Sequence, residues 1–86
     1  MYRMKTVIYS HAANKQLEAL PLPAQDQITT ALDTYAVSGR GDIKKLSDRV
    51  GYRLRVGAYR VIFSEDLTTV LAVYVGRRGT NTYSRN

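Results

Sequence analysis

The chain has 86 residues, 44% of them hydrophobic and 23% charged, so we expect one small globular domain over residues 1–86. It has no cysteine and one histidine, which excludes a disulfide framework, a thiolate zinc site, a cysteine nucleophile and a two-histidine acid–base pair. The net charge is +6, and all of this excess lies in residues 40–86, because residues 1–39 carry three basic and three acidic side chains.

The first predicted element is a strand over Tyr2–Tyr9, which alternates in polarity and is rich in aromatic and β-branched residues. Ser10 is a favourable N-cap for a helix that follows it directly. One helical stripe is formed by Ala13, Leu17 and Leu20. Pro21 and Pro23 end this helix.

A second helix is predicted to begin between Leu22 and Ala24 and to run to about Val37. Its apolar positions, at helical spacing, are Ile28, Ala31, Leu32, Tyr35 and Ala36. The Ser38–Gly41 segment supplies a C-terminal stop. The two helices therefore form a helical hairpin with a proline-rich corner.

The second half of the chain predicts three strands. Asp42–Gly51 is expected to be a connecting loop that Leu46 anchors to the core. From Tyr52 the apolar period becomes two, and a tight turn at Gly57-Ala58 and a second at Glu65-Asp66 separate the strands. Val70–Val75 is apolar on both faces, which is typical of a central strand, and Gly76 is expected to break it.

The predicted order is β-α-α-β-β-β, an α+β fold with the helical hairpin on one face of a mostly antiparallel four-stranded sheet. The first strand is expected beside the last, giving the sheet order 1-4-3-2. Residues 77–86 form a polar tail. We expect His11 to have no functional role. The tyrosines expected to face the core are Tyr35, Tyr52, Tyr59 and Tyr74.

Several arginines are expected on the face of the sheet that the helices leave open. Arg53 and Arg55 share one strand face, and the hairpin brings Arg60 onto the neighbouring strand. The other contributors are Arg77 and Arg78 after the last strand, Tyr83 in the tail, and Lys44 and Lys45 in the preceding loop. Such a surface is a plausible cradle for phosphates. The alternative is an ordinary half-exposed sheet whose basic residues serve solubility.

The segments GYRLRVGAYRVIF and VLAVYVGRRGTNTY resemble the toxins of the RelE/ParE superfamily of bacterial toxin–antitoxin pairs, and the resemblance covers essentially the whole chain. This superfamily includes ribosome-dependent mRNA endonucleases and gyrase inhibitors. In the mRNA-cleaving branch, the functional positions correspond here to Arg53, Arg55, Arg60, Arg78 and Tyr83. The best-known members have lysine at the first two positions.

The resemblance implies an mRNA interferase that needs no metal or other cofactor and lets the RNA 2′-OH attack the scissile phosphate. Tyr83 would be the base or a base-stacking platform, and Arg60 and Arg78 would be the other catalytic residues. It also implies an acidic antitoxin partner and mRNA on the ribosome as the target. The alternative is a ParE-like inhibitor of DNA gyrase without nuclease activity. No apolar run approaches the roughly 20 residues of a membrane span, and we expect a cytoplasmic protein.

Overall fold

The computed structural model describes residues 4–79. Along the chain the elements are β1 (Thr6–Tyr9), α1 (His11–Glu18), α2 (Leu22–Ser38), β2 (Asp42–Lys45), β3 (Tyr52–Val56), β4 (Tyr59–Glu65) and β5 (Thr69–Arg77). They form one five-stranded sheet in the order β1-β5-β4-β3-β2. β1 runs parallel to β5, and the other neighbours are antiparallel. The predicted α+β class and the pairing of the first strand with the last are confirmed.

The start of α1 and both ends of α2 lie where local chemistry predicts, whereas α1 ends at Glu18, before Leu20 and Pro21. Ser10 Oγ accepts a hydrogen bond from the Ala13 N–H at 3.0 Å, which satisfies one free donor at the start of α1. α2 begins with Leu22 and Pro23 and ends at Gly39, whose φ of 76° lies in the left-handed region. The Gly39 N–H still bonds to the Tyr35 carbonyl at 2.8 Å, so the glycine closes the last turn of the helix.

Both helices pack on one face of the sheet. The apolar stripes of α1 and α2 meet the alternate residues of β3, β4 and β5 in one buried cluster. Its largest fully buried side chains are Phe63, Ile28, Leu32, Leu54, Val61 and Val70. We call the opposite side of the sheet, which the helices leave uncovered, the open face.

The strand β2 is a correction to the predicted loop over Asp42–Gly51, and it raises the strand count from four to five. β2 pairs with β3 along its whole length, Asp42 opposite Arg55 and Lys45 opposite Tyr52. It is an edge strand of four residues, and only Ile43 among them packs against the core. The expectation that Leu46 anchors this segment to the core was wrong: Leu46 is half-buried outside the core cluster, and its N–H bonds to Gly51.

The strand β5 also departs from simple alternation. Residues Val61 and Ile62 pair with Val75 and Tyr74, but Phe63 pairs with Ala72, so β5 bulges at Val73. Gly76 does not break the strand, which continues to Arg77. The bulge changes which side of the sheet the later residues face, with consequences for Tyr74.

Within residues 4–79, no helix is long and apolar enough to cross a membrane. Tyr2 and Arg3, which the predicted first strand included, lie outside the described residues.

Candidate functional site

The centre of the candidate site is a pair of arginines on adjacent strands. Arg55 of β3 stands directly opposite Arg60 of β4 in the sheet register. Directly opposite side chains have Cβ atoms about 5 Å apart. Leu54, Val56 and Val61, which alternate with the two arginines, are buried in the core, so both arginines project from the open face. Sequence alone could not fix this register.

A cleft of about 580 Å³ lies at the end of the sheet where β3 and β4 join. Its lining residues are Arg55, Ala58, Arg60, Arg77, Arg78 and Gly79, and we call it the arginine cleft. Four guanidinium groups around one solvent-accessible space create a strongly positive site. The structure therefore brings together four of the five arginines that the sequence placed on this face.

Arg78 closes one wall of the cleft by binding the hairpin turn. Its backbone N–H donates to the Ala58 carbonyl at 2.8 Å, and its Nη1 donates to the Gly57 carbonyl at 2.9 Å. Gly57 adopts φ 56°, which the tight turn requires. A guanidinium has five N–H donors, so a group held by one of them still has donors for an anion. The turn thus fixes the position of Arg78.

Arg77 reaches the cleft from the other side of the sheet. It pairs in register with Tyr59, a core residue, and its guanidinium carbon lies 5.5 Å from the centre of the Tyr59 ring. This is cation–π geometry. The tyrosine ring therefore supports the arginine at the cleft rim.

Arg53 and Lys44 form a second basic row on the open face, beside the first. Arg53 stands opposite Lys44 on one side and opposite Ile62 on the other. Arg53 is half-buried, and its Nε is buried with no hydrogen-bond partner among residues 4–79, whereas Lys44 is exposed. Neither residue lines the arginine cleft, so they extend the basic surface along the sheet and lie outside its centre.

Lys45 is separated from this surface. It alternates with Lys44 and pairs with Tyr52, whose ring stacks on the core residue Phe63 at 5.5 Å, so Lys45 faces the helix side. There it lines a different depression of about 530 Å³ with residues of the β2–β3 loop. The structure therefore does not support grouping Lys45 with the open-face arginines.

Only some of the tyrosines that were expected to face the core do so. Tyr59 is buried in the core, and Tyr35 and Tyr52 pack against it, as expected. Tyr74 was expected to face the core, and this was wrong: the bulge puts Tyr74 opposite Ile62, outside the core cluster, on the open face. The run VLAVYV is apolar on both faces, so no polarity pattern reveals the bulge. Tyr83 lies outside the described residues.

The described residues supply charge and hydrogen-bond donors to the site. Histidine and carboxylate groups do not gather there: within residues 4–79, no cluster of three or more such side chains could hold a metal ion. His11, the first residue of α1, is exposed. The four arginines that line the cleft can bind an anion such as a phosphate and neutralise its charge.

Comparison with known proteins identifies structural relatives. No protein-family model matches the chain, and no curated protein matches it. A chain of the toxin–antitoxin complex RelBE2 from Mycobacterium tuberculosis superimposes with a TM-score of 0.77 at 25% identity, over 88% of this chain and 100% of that one.

Two further solved structures share the fold at lower identity. A chain of the archaeal RelE–RelB complex from Pyrococcus horikoshii gives a TM-score of 0.76 at 23% identity, over 90% of this chain and 98% of that one. A chain of the YoeB dimer from Staphylococcus aureus gives a TM-score of 0.69 at 17% identity, over 88% of this chain and 99% of that one. Below 25% identity such a match establishes the fold alone. The likeness that the sequence motifs indicated is confirmed, and the chain has the fold of RelE-like toxins.

Proposed function

We propose that this chain is the toxin of a toxin–antitoxin pair and that it cleaves mRNA on the ribosome without a metal ion. The observation that carries the proposal is the arginine cleft, in which Arg55 and Arg60 stand opposite each other and Arg78 is fixed by the hairpin turn. The likeness to chains of complexes described as toxin–antitoxin complexes supports the toxin role.

Arginines can neutralise the negative charge that develops on the phosphate during RNA cleavage. When the 2′-OH attacks, the scissile phosphate passes through a phosphorane that carries additional negative charge. Arg55 and Arg60 would bind two oxygens of one phosphate, because they stand directly opposite each other and such side chains lie about 5 Å apart. Arg78, which also lines the cleft, would stabilise the charge on the leaving 5′-oxygen as its bond to phosphorus breaks. Arg53 and Lys44 would hold the neighbouring part of the RNA strand.

Tyr83 is the proposed base that removes the 2′-OH proton. It is four residues beyond Gly79, the last cleft residue, and four extended residues span up to about 14 Å. That reach covers the arginine cleft. Positive charge nearby favours the phenolate form of a tyrosine, which is the form that accepts a proton.

An experiment on Arg60 tests the proposal. Hydrogen bonds to charged groups contribute about 1.5–3 kcal/mol, so Arg60→Ala should lower mRNA cleavage on translating ribosomes by at least about tenfold. Tyr83→Phe should lower it similarly. The matched control is Lys15→Ala, which removes one positive charge from the exposed surface of α1. Circular dichroism confirms that the variants are folded.

The outcomes distinguish the proposed ribonuclease mechanism from the alternatives. Full cleavage by both Arg60→Ala and Tyr83→Phe would end the proposed mechanism. Arrested DNA synthesis with intact transcripts in cells expressing the wild-type chain would instead indicate a gyrase inhibitor.

The proposed partner is an acidic antitoxin that covers the open face. Residues 40–86 carry the entire net charge of +6, and the arginine cleft and the Arg53–Lys44 row concentrate part of it on one surface. An acidic segment bound there would neutralise the groups that the reaction needs. Binding of the antitoxin would then by itself inhibit RNA cleavage.

A further inference from the structure

We propose that Tyr74 is a second phenol of the active site, whose hydroxyl contacts the RNA phosphate held by Arg60. This inference rests on the proposed mRNA cleavage, and it concerns a residue that the sequence pattern had placed in the core. Three features of β5 lead to it: the bulge at Val73, the contact that fixes this bulge, and the glycine beside the phenol.

The bulge carries Tyr74 onto the basic face. Alternation from the buried residue Ala72 would turn Tyr74 toward the helices. The additional residue Val73 shifts the phase, so Val75 returns to the core and Tyr74 pairs with Ile62 on the open face. Bulges commonly re-aim a side chain beside a functional site.

A side chain of α1 fixes the bulge. β1 pairs with β5 only as far as Ala72. Beyond that point, the Val75 N–H donates to Gln16 Oε1 at 2.8 Å. This bond satisfies a backbone donor that β1 does not reach. The orientation of Tyr74 is therefore built into the packing of α1 on the sheet.

Gly76 leaves room for the phenol. A Cβ atom at this position would overlap the Tyr74 hydroxyl and would lie 2.7 Å from Cζ. Gly76 is not among the glycines with positive φ, so its backbone does not demand glycine. The need for glycine at position 76 is instead a need for space, because any larger side chain would displace the Tyr74 phenol.

The phenol consequently lies beside the arginine pair. Gly76 is the register partner of Arg60, which is itself opposite Arg55. Adjacent strands are about 4.8 Å apart, so the end of the Tyr74 side chain, which lies over Gly76, is one strand away from Arg60. A tyrosine hydroxyl there can donate a hydrogen bond to a phosphate oxygen that the arginines hold.

A purely structural role makes a different prediction. An aromatic ring over a strand glycine shields the backbone there, and phenylalanine would do this equally well. A substrate contact needs the hydroxyl. Tyr74→Phe therefore separates the two roles, since it keeps the ring and removes only the oxygen.

The experiment compares kcat/KM for mRNA cleavage on translating ribosomes, together with the melting temperature, for three variants. Tyr74→Phe is expected to lower kcat/KM by about tenfold, which corresponds to about 1.4 kcal/mol, without lowering the melting temperature. Tyr52→Phe, on the helix side, is the matched control and should cleave like the wild type. Gly76→Ala, which displaces the phenol, should cleave as poorly as Tyr74→Phe.

A double variant shows whether both changes act through the same hydroxyl. If they do, adding Gly76→Ala to Tyr74→Phe should lower cleavage little further, because the group it displaces is already gone. Wild-type cleavage by Tyr74→Phe, alongside a defective Arg60→Ala, would overturn the role of Tyr74 and leave the proposed function standing. If the wild-type chain does not cleave mRNA, the proposed function fails and this inference fails with it.

Discussion

Three segments of the fold meet at Glu65, and removing one hydroxyl there should measurably destabilise the protein. Glu65 accepts a hydrogen bond from the Tyr35 hydroxyl at 2.6 Å and one from Lys5 Nζ at 2.8 Å. The Lys5 N–H also donates to the Ala36 carbonyl at 3.1 Å. These contacts, which we call the Glu65 clamp, join Lys5, the residue before β1, and the end of α2 to the end of β4.

The change Tyr35→Phe isolates one bond of the clamp. The Tyr35 ring packs against Phe63 with centres 5.2 Å apart, and phenylalanine keeps that contact. A hydrogen bond to a charged group contributes about 1.5–3 kcal/mol. The Lys5 and Glu65 side chains are 25% and 15% exposed, so water replaces part of the lost interaction. We therefore expect the lower value, about 1.5 kcal/mol.

Urea unfolding followed by circular dichroism measures this loss. With a slope of about 1–2 kcal/mol per molar urea, the midpoint should fall by about 1 M. The melting temperature should fall by about 6–12 °C. Tyr52→Phe is the control, because its ring also packs on Phe63 but its hydroxyl is not part of the clamp. If Tyr35→Phe were as stable as the wild type, the hydrogen bond would contribute nothing and the reasoning would be wrong.

The same residue predicts a dependence on alkaline pH. Burial raises the pKa of Tyr35 above its ordinary value of 10.0, and the hydrogen bond and charge of Glu65 raise it further. A second tyrosine, Tyr9, is shifted in the same direction: burial, with the charge of Asp33, raises its pKa to about 12. A raised folded pKa contributes stability below the unfolded value and loses it as the pH rises toward the folded value. The advantage of wild type over Tyr35→Phe should therefore be full at pH 8 and smaller at pH 11.

Two other changes follow from the geometry. Gln16→Ala removes the acceptor for the Val75 N–H and should lower the free energy of unfolding in urea by about 1–2 kcal/mol. Gln16→Glu keeps an acceptor and should retain most of that stability. Equal stability of Gln16→Ala and wild type would show that the bulge needs no such support. The complex with an acidic antitoxin should dissociate at least about tenfold more readily in 0.5 M than in 0.1 M salt, because added ions screen exposed charges. Titration calorimetry at both salt concentrations measures this, and binding insensitive to salt would contradict an electrostatic interface.

Local signals in the sequence predicted most elements of the fold. Ser10, the prolines at 21 and 23, and Gly39 mark helix boundaries through local chemistry: Ser10 through its side-chain cap, and the prolines and Gly39 through their backbone preferences. The period-two pattern from Tyr52 and the Gly57-Ala58 turn likewise predicted the β3–β4 hairpin. From the spacing, Arg55 and Arg60 could be assigned to neighbouring strands of this hairpin.

Other features depend on contacts between segments far apart in the chain, and only the tertiary structure decided them. β2 is short and polar, and it becomes a strand because β3 offers it an open edge. Tyr74 lies on the open face because β5 bulges at Val73, next to a hydrogen bond from the Val75 N–H to Gln16 of α1, 59 positions away in the chain. A one-residue shift in register reverses the side on which every later side chain projects, and periodicity cannot reveal such a shift in a strand that is apolar on both faces.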